Sequence, residues 1–349
     1  MQISKLSNFF IAVISIVVIL IYGQELLIPF IFALLLWFIV RQCKKQLNKI
    51  AFIKKYIPSG IKTVLVSVFL FGILSLAANI LTENINDIAQ SYYKYESNID
   101  KLINTLNTTL DINIMDKVEA QVQDFDFGSI LGSILNSITD ILGSAFMILL
   151  YTIFVFLEES NFKNKIHLLF KEEEKYEAFN GILTRIERSV AKYLGLKTFV
   201  SFITSFLSFI VLQIIGVDSP VFWSFLILIL NFIPNVGSLA ATVFPAIYCL
   251  LQFGGYEEAL IVLALVGSIQ GLVGNFIEPK IMGNSMNISA LVTILSLTLW
   301  GAIWGITGMI LSVPITMIMI LIFSQFDSTR GVAILLSEKG IIDEKESGK

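Results

Sequence analysis

Residues 259–277 read ALIVLALVGSIQGLVGNFI and contain no charged side chain. A helix rises about 1.5 Å per residue and the hydrocarbon core of a bilayer is about 30 Å thick, so roughly 20 such residues cross it. Glu278-Pro279-Lys280 follows at once. Proline frees backbone groups that find no partner in lipid, so a polar break of this kind belongs at the headgroups or beside a wet cavity. The stretch therefore reads as a membrane helix ended by a polar interruption.

The composition extends that reading to the whole chain. Its 349 residues are 56% hydrophobic and 15% charged, with a mean hydropathy of +0.81. A soluble domain carries about 25% charged residues to cover its core, so a soluble globular enzyme is excluded. The net charge of −3 offers no footprint for nucleic acid. Cys43 and Cys249 lie far apart, and His167 is the single histidine. Neither a disulfide framework nor a metal site follows, and no cofactor is expected. P-loop, GxGxxG, HExxH, GxSxG and CxxC signatures are absent, so the chain reads as no enzyme and no ATP-driven pump.

The predicted fold is an all-α polytopic membrane protein. The apolar runs are 9–22, 26–40, 61–81, 138–157, 200–215, 221–233, 239–253, 259–277, 288–300 and 306–323. Short runs pair across Gly23-Gln24-Glu25, across Pro234–Gly237 and near Gly301–Gly305, as broken or re-entrant hairpins, giving about eight transmembrane helices. The first run lacks a small-x-small cleavage site and reads as an uncleaved span. Six regions result: 1–81, an N-terminal hairpin, basic loop and third span; 82–136, an extracytoplasmic helical insert; 137–157, a fourth main span; 158–197, a helical loop; 198–325, a transport core; and 326–349, a tail.

Lysine and arginine set the orientation. Residues 41–62 carry Arg41, Lys44, Lys45, Lys49, Lys54, Lys55 and Lys62 with no acid, and Arg185, Arg188, Lys192 and Lys197 stand before a later span. Both loops, and with them both termini, are expected on the cytoplasmic side of the cell membrane. In the insert, Ile85, Ile88, Tyr92, Tyr95, Ile99, Leu102 and Leu106 alternate spacings of three and four, a heptad stripe that packs within the subunit or between subunits. A short helix near 114–122 is expected to return the chain.

Four features inside the apolar runs carry the candidate chemistry. Asn231-Phe232-Ile233-Pro234-Asn235-Val236-Gly237 is a polar break, either a hairpin turn or a cavity wall. Asn275-Phe276-Ile277-Glu278-Pro279 echoes it and closes with Gly283, by chance or as an internal repeat. Glu278 is an acid at the membrane and so a candidate for proton coupling, unless it only snorkels near Lys280; Asp140 and Asp218 read as interfacial. Thr198, Ser201, Ser205 and Ser208 share one helix face, fit for packing or for hydrogen-bonding a hydroxylated solute, and Gln213 and Gln270 are further polar groups in spans. GxxxG spacings at 267–271 and 301–305 let helices approach closely, and Pro314 reads as a kink.

With Phe232–Gly237, Ile277–Gly283 and the string Leu311-Ser312-Val313-Pro314, the chain resembles the AI-2E family of bacterial transporters over most of its length. Ser238 stands where many members have a second proline, and Ile288-Ser289-Ala290 where many have His-Pro, which brings the chain closer to the quorum-signal exporter branch. The resemblance implies export of autoinducer-2, a small hydroxylated signal, with sodium or lithium/proton antiport among other members. It also implies homo-oligomers, pentamers included.

The expected function is export of a small polar solute, with cation/proton antiport or a non-transporting scaffold as alternatives. Its pathway is expected to run past Asn231, Pro234, Asn235, Gly237, Gln270, Asn275, Glu278, Pro279, Ser201, Ser205 and Ser208. The partners expected are the lipid bilayer, the solute and further copies of the chain.

Overall fold

The computed structural model describes residues 2–73 except 59, then 75, 76, 79, 84 and 98, then 127–283 except 171, then 287–338 and 340. The heptad stripe, the helix near 114–122 and the end of the third span lie outside the described residues.

The chain is helical and, among the described residues, has no strand. The helices are α1 (Gln2–Tyr22), α2 (Gln24–Leu47), α3 (Ala51–Tyr56), α4 (Gly60–Ile73), α5 (Phe127–Gly143), α6 (Ala145–Leu169), α7 (Glu173–Ile215), α8 (Pro220–Leu230), α9 (Val236–Phe253), α10 (Glu257–Leu272), α11 (Glu278–Met282), α12 (Ala290–Phe323) and α13 (Asp327–Leu336). A π turn, Val273–Ile277, joins α10 to α11. Five helices among the described residues are long and apolar enough to span a bilayer, six if the bent α5–α6 pair is one span. The expectation of about eight also counted the runs 9–22, 61–81 and 221–233: the last forms the short helix Pro220–Leu230, the first lies within the 21-residue α1, and the third span is described without a gap only as far as Ile73.

The chain forms two compact units. One holds Met1–Leu70, Ser137–Gly195 and Asn284–Lys349; the other holds Phe71–Asn136 and Leu196–Gly283.

In the first unit, α2 packs along α6. Trp37 donates its indole N–H to Glu159 at 3.1 Å, and Arg41 lies 4.9 Å from the centre of the Trp37 ring. Glu187 is buried, yet Arg41 and Lys45 reach it at 3.0 and 2.8 Å. A buried carboxylate is tolerable only when matched in this way.

The tight hairpin expected at Gly23 is a kink instead. Gly23 alone separates α1 from α2, with φ −89° and ψ 4°, and its N–H still donates to the Ile19 carbonyl at 2.8 Å. Ser144, with φ −79° and ψ 2°, joins segments bent by only 42°. Dihedrals so close to helical ones bend the chain without reversing it. The Leu20 carbonyl beside the kink accepts the indole N–H of Trp304 at 2.8 Å.

The expected division of the last apolar pair is present. Within α12, Trp304 (φ −127°, ψ 18°) and Gly305 (φ 59°, ψ −142°) leave the helical region. The chain turns so sharply that a Cβ on Gly308 would lie 1.9 Å from the Trp300 carbonyl oxygen. Of the GxxxG pair at 301–305, Gly301 marks a close approach, since a Cβ there would lie 2.9 Å from the Met309 side chain, whereas Gly305 is the break itself and has open space around it. Pro314, read as a kink, lies inside α12 with no departure from helical dihedrals there. Ser289 caps this helix, its hydroxyl accepting the Val292 N–H at 3.2 Å.

In the second unit, α8 and α9 pack as a helical hairpin, and α9 packs against α10. Pro220 at the first turn of α8 suits a position whose N–H needs no partner. Gly267 faces α9, where a Cβ would make an ordinary contact with the Thr242 methyl at 3.5 Å, and Gly271 has open space, so neither glycine of this GxxxG is required by close packing. The side chain of Gln252 fastens the loop before α8, accepting from the Asp218 N–H and donating to the Gly216 carbonyl, both at 2.8 Å. Asn98 donates to the Leu251 and Gln252 carbonyls at the end of α9, at 3.1 and 3.0 Å.

Candidate functional site

The second half of α7 carries a polar face. Lys197, Ser201, Thr204, Ser205 and Ser208 are all buried, followed on the same face by Leu212. Spacings of three and four place them along one side of the helix. Thr198, expected on this face, is exposed, and Thr204 occupies the buried position instead.

These hydroxyls are not alike. Thr204 returns its proton to the Val200 carbonyl at 3.1 Å, the usual local solution in a helix. Ser205 donates to the Ser224 carbonyl at 2.6 Å and so ties α7 to α8. Ser201 and Ser208, both fully buried, have no hydrogen-bond partner. The buried indole N–H of Trp223 on α8 and the Gln270 amide nitrogen on α10 are also unpartnered. Each such group costs roughly 1–3 kcal/mol if nothing meets it. Among the described residues this unit thus holds Ser201, Ser208, Trp223 and Gln270, on three helices, as hydrogen-bonding groups without a protein partner.

Lys197 forms an ion pair with Glu278. The lysine side chain is 10% exposed and the carboxylate 25%. Lys280, the expected neighbour of Glu278, is exposed and pairs with neither. Proline geometry accounts for the placement. Pro279 has no N–H and its ring crowds the preceding turn, so an uninterrupted α-helix is disfavoured there. The chain widens into the π turn, and the Glu278 N–H reaches back to the Val273 carbonyl. Single π turns of this kind occur often at functional sites.

The first break is built differently. Asn231 is buried at the end of α8. Asn235 is exposed with φ 58° and ψ −56°, and the Val236 N–H donates to the Pro234 carbonyl at 2.6 Å. This is a γ-turn centred on Asn235 with positive φ, a rare and strained conformation. The Asn235 carbonyl accepts from the Ser238 hydroxyl at 2.9 Å. Gly237 is required on steric grounds, because a Cβ would lie 1.8 Å from the Leu230 carbonyl oxygen.

Of the predicted pathway residues, Ser201, Ser205, Ser208 and Asn231 are buried, while Pro234, Gln270 and Glu278 are partly so. Asn235, Asn275 and Pro279 are exposed, and Gly237 is packed in the hairpin. Among the described residues no hydrogen bond or ion pair joins Asn231 or Asn235 to Asn275 or Glu278, so the two breaks are not brought together by side-chain bonds. In the sequence Lys197 stands out only as an orientation signal. The missed clue is its spacing: Lys197 precedes Ser201 by four residues and shares its face.

Residues 9–327 match the family described as AI-2E family transporter. The chain belongs to the AI-2E family. It is 30% identical to the AI-2 transport protein TqsA of Escherichia coli (strain K12) over 319 residues, 91% of each chain. A putative transport protein of Haemophilus influenzae is 27% identical over 90% of this chain and 91% of its own. Another, from Borreliella burgdorferi, is 35% identical over 59% of this chain and 57% of its own. These AI-2E relatives are named as transport proteins, and the apolar helices make this chain a multi-pass membrane protein.

Proposed function

We propose that the chain exports a small polyhydroxylated solute across the cytoplasmic membrane without ATP hydrolysis, and that the solute is autoinducer-2, the one carried in the name of the TqsA relative. Both termini face the cytoplasm in this reading, which rests on the basic 41–62 stretch, and copies of the chain associate.

The observation that carries the proposal is the set of buried groups without a protein partner: Ser201, Ser208, Trp223 and Gln270. A core formed only for packing avoids such groups. A transport path needs them, because a desolvated sugar-like solute must exchange its water contacts for protein ones without being held tightly. The strained γ-turn at Asn235 supports the same reading, since strain tends to collect where a segment moves.

The test is solute movement in proteoliposomes holding radiolabelled autoinducer-2, comparing the native chain with Ser201→Ala/Ser208→Ala and with Asn235→Ala. Faster release than from empty liposomes, lost in the serine variant, is expected. Release that is identical in all samples removes the proposal.

The Lys197–Glu278 pair favours a second reading, cation/proton antiport. Protonation of Glu278 neutralises the carboxylate and releases Lys197, the coupled event an exchanger requires. Proton flux in inverted vesicles that responds to sodium or lithium in the native chain and is lost in Glu278→Gln selects this reading; flux indifferent to both cations rejects it.

A further inference from the structure

The first unit contains a cavity of about 490 Å³. Asn48, Lys54, Lys55, Tyr56 and Lys62 line it, between the end of α2 and the start of α4. Cavities of roughly 300–1,000 Å³ are the size that holds small ligands. No carboxylate lines this one, and none occurs anywhere from Arg41 to Lys62.

Lys62 is the telling residue. It is only 5% exposed, and its ammonium group donates to the Asn48 side-chain oxygen at 2.7 Å, a neutral acceptor. Of the neighbouring cations, Arg41 and Lys45 are matched by the Glu187 carboxylate, whereas the less buried Lys44 also has a neutral acceptor, the Thr63 hydroxyl at 3.1 Å. A buried ammonium with one neutral partner and further donors to spare calls for an anion.

The surroundings narrow the choice. Lys54 and Lys55 supply two more compact positive charges at the exposed side. Several lysines lining one cavity suit a phosphate, whose oxygens spread charge in several directions. Phe52 and Tyr56, on the same short helix, are 68% and 62% exposed, and their rings lie 4.9 Å apart. Ile61, at the start of α4, is 52% exposed. Exposed aromatic and aliphatic side chains next to a basic cavity form an amphiphilic surface of the kind that meets lipid headgroups.

We propose that this cavity binds a phosphate group, with Lys62 as its buried anchor and Lys54 and Lys55 as its outer contacts. An anionic phospholipid headgroup and free inorganic phosphate share this chemistry. The site is independent of the transport reading and stands whether or not the chain moves autoinducer-2.

The test uses the full-length protein in detergent micelles. Three variants are compared with it: Lys62→Gln, Lys62→Arg and the exposed pair Lys54→Gln/Lys55→Gln. Binding of fluorescent phosphatidylglycerol is titrated against fluorescent phosphatidylcholine, and again with inorganic phosphate as competitor. Preference for phosphatidylglycerol that weakens about fivefold for each lysine removed is expected, with Lys62→Arg retaining it. Competition by millimolar phosphate, with no preference between the lipids, assigns the site to the free anion. If Lys62→Gln does not fold, the exposed pair and Lys62→Arg carry the comparison. Binding unchanged in the exposed pair, or no binding of either probe by the native chain, overturns the proposal.

Discussion

The chain writes Asn-Phe-Ile twice in its C-terminal half, at 231–233 and at 275–277, and proline follows both times. The outcomes differ. After Ile233 the proline comes at once, α8 ends, and a γ-turn at Asn235 sends the chain back as α9. After Ile277 one residue, Glu278, intervenes before the proline, and the helix, widened into a π turn over Val273–Ile277, continues. The first Asn is buried and the second exposed. Shared residues therefore do not make these two places structural equivalents. The nearer counterpart of the first break is Trp304–Gly305, where no such tripeptide occurs but a glycine again sits against a carbonyl of the preceding arm.

The two breaks also use glycine for different reasons, and this gives the largest expected effect. At Gly237 the obstacle is contact, with the Leu230 carbonyl oxygen 1.8 Å from an added Cβ. At Gly283 there is open space, but φ is 49° and ψ −133°, a region that side chains avoid. Gly237→Ala must push the hairpin arms apart and is expected to cost more than about 3 kcal/mol, enough to lose monodisperse protein in size-exclusion chromatography. Gly283→Ala is expected to cost about 1–3 kcal/mol and to yield a folded protein with a lower melting temperature. Equal behaviour of the two variants removes the distinction.

How far the residues alone reveal this arrangement depends on the range of the interaction involved. The all-helical membrane fold follows from apolar run length, which is local, and so do the divisions near Pro234 and Gly305. The kink at Gly23 reads as a hairpin because two short apolar runs flanking a glycine look the same whether the chain bends or reverses. Only dihedral angles separate the cases. The hydroxyl face of α7 is legible from spacing, but its register is not: Thr198 and Thr204 both fit a helical period, and the neighbours decide which is buried. The partner of Glu278 is least legible of all, since Lys197 lies 81 residues away.

The Lys197–Glu278 pair belongs to the second break alone and sharpens the contrast next. With both side chains largely shielded, removing one partner leaves an unmatched charge. Lys197→Met and Glu278→Gln are each expected to lower stability by about 1–3 kcal/mol, and the neutral double variant is expected to recover part of the loss. Thermal melts of the four proteins form the cycle. Losses that simply add show that the pair contributes no coupling.

Pro279→Ala has a smaller effect. It restores the missing N–H and lifts the steric reason for the π turn. If the turn tightens to α-helix, the register slips by one residue, about 100° around the axis, and Glu278 swings away from Lys197. Stability is then expected to change by no more than about 1 kcal/mol, because helix propensity gained offsets the pair lost. The informative measurement is Lys197→Met in this background. A substitution that destabilises the native chain is expected to be neutral or mildly stabilising there, because it removes a lysine already unmatched, and a full-sized loss means the π turn persists without its proline.

The smallest effect separates transport from packing. Ser201 and Ser208 are buried hydroxyls without a partner. If they exist only to let helices approach, replacing each by alanine removes an unmet polar group and raises stability by up to about 1 kcal/mol, with activity intact. If they receive solute, the same substitution raises stability and slows transport together. Ser205 is the control on the same face. Its hydroxyl already serves the Ser224 carbonyl, so Ser205→Ala is expected to lower stability by about 1 kcal/mol instead. Opposite signs within one stripe distinguish a hydroxyl that holds helices together from one left unmet, and slowed transport then marks the unmet one as a solute contact. The comparison fails if all three serines give the same sign.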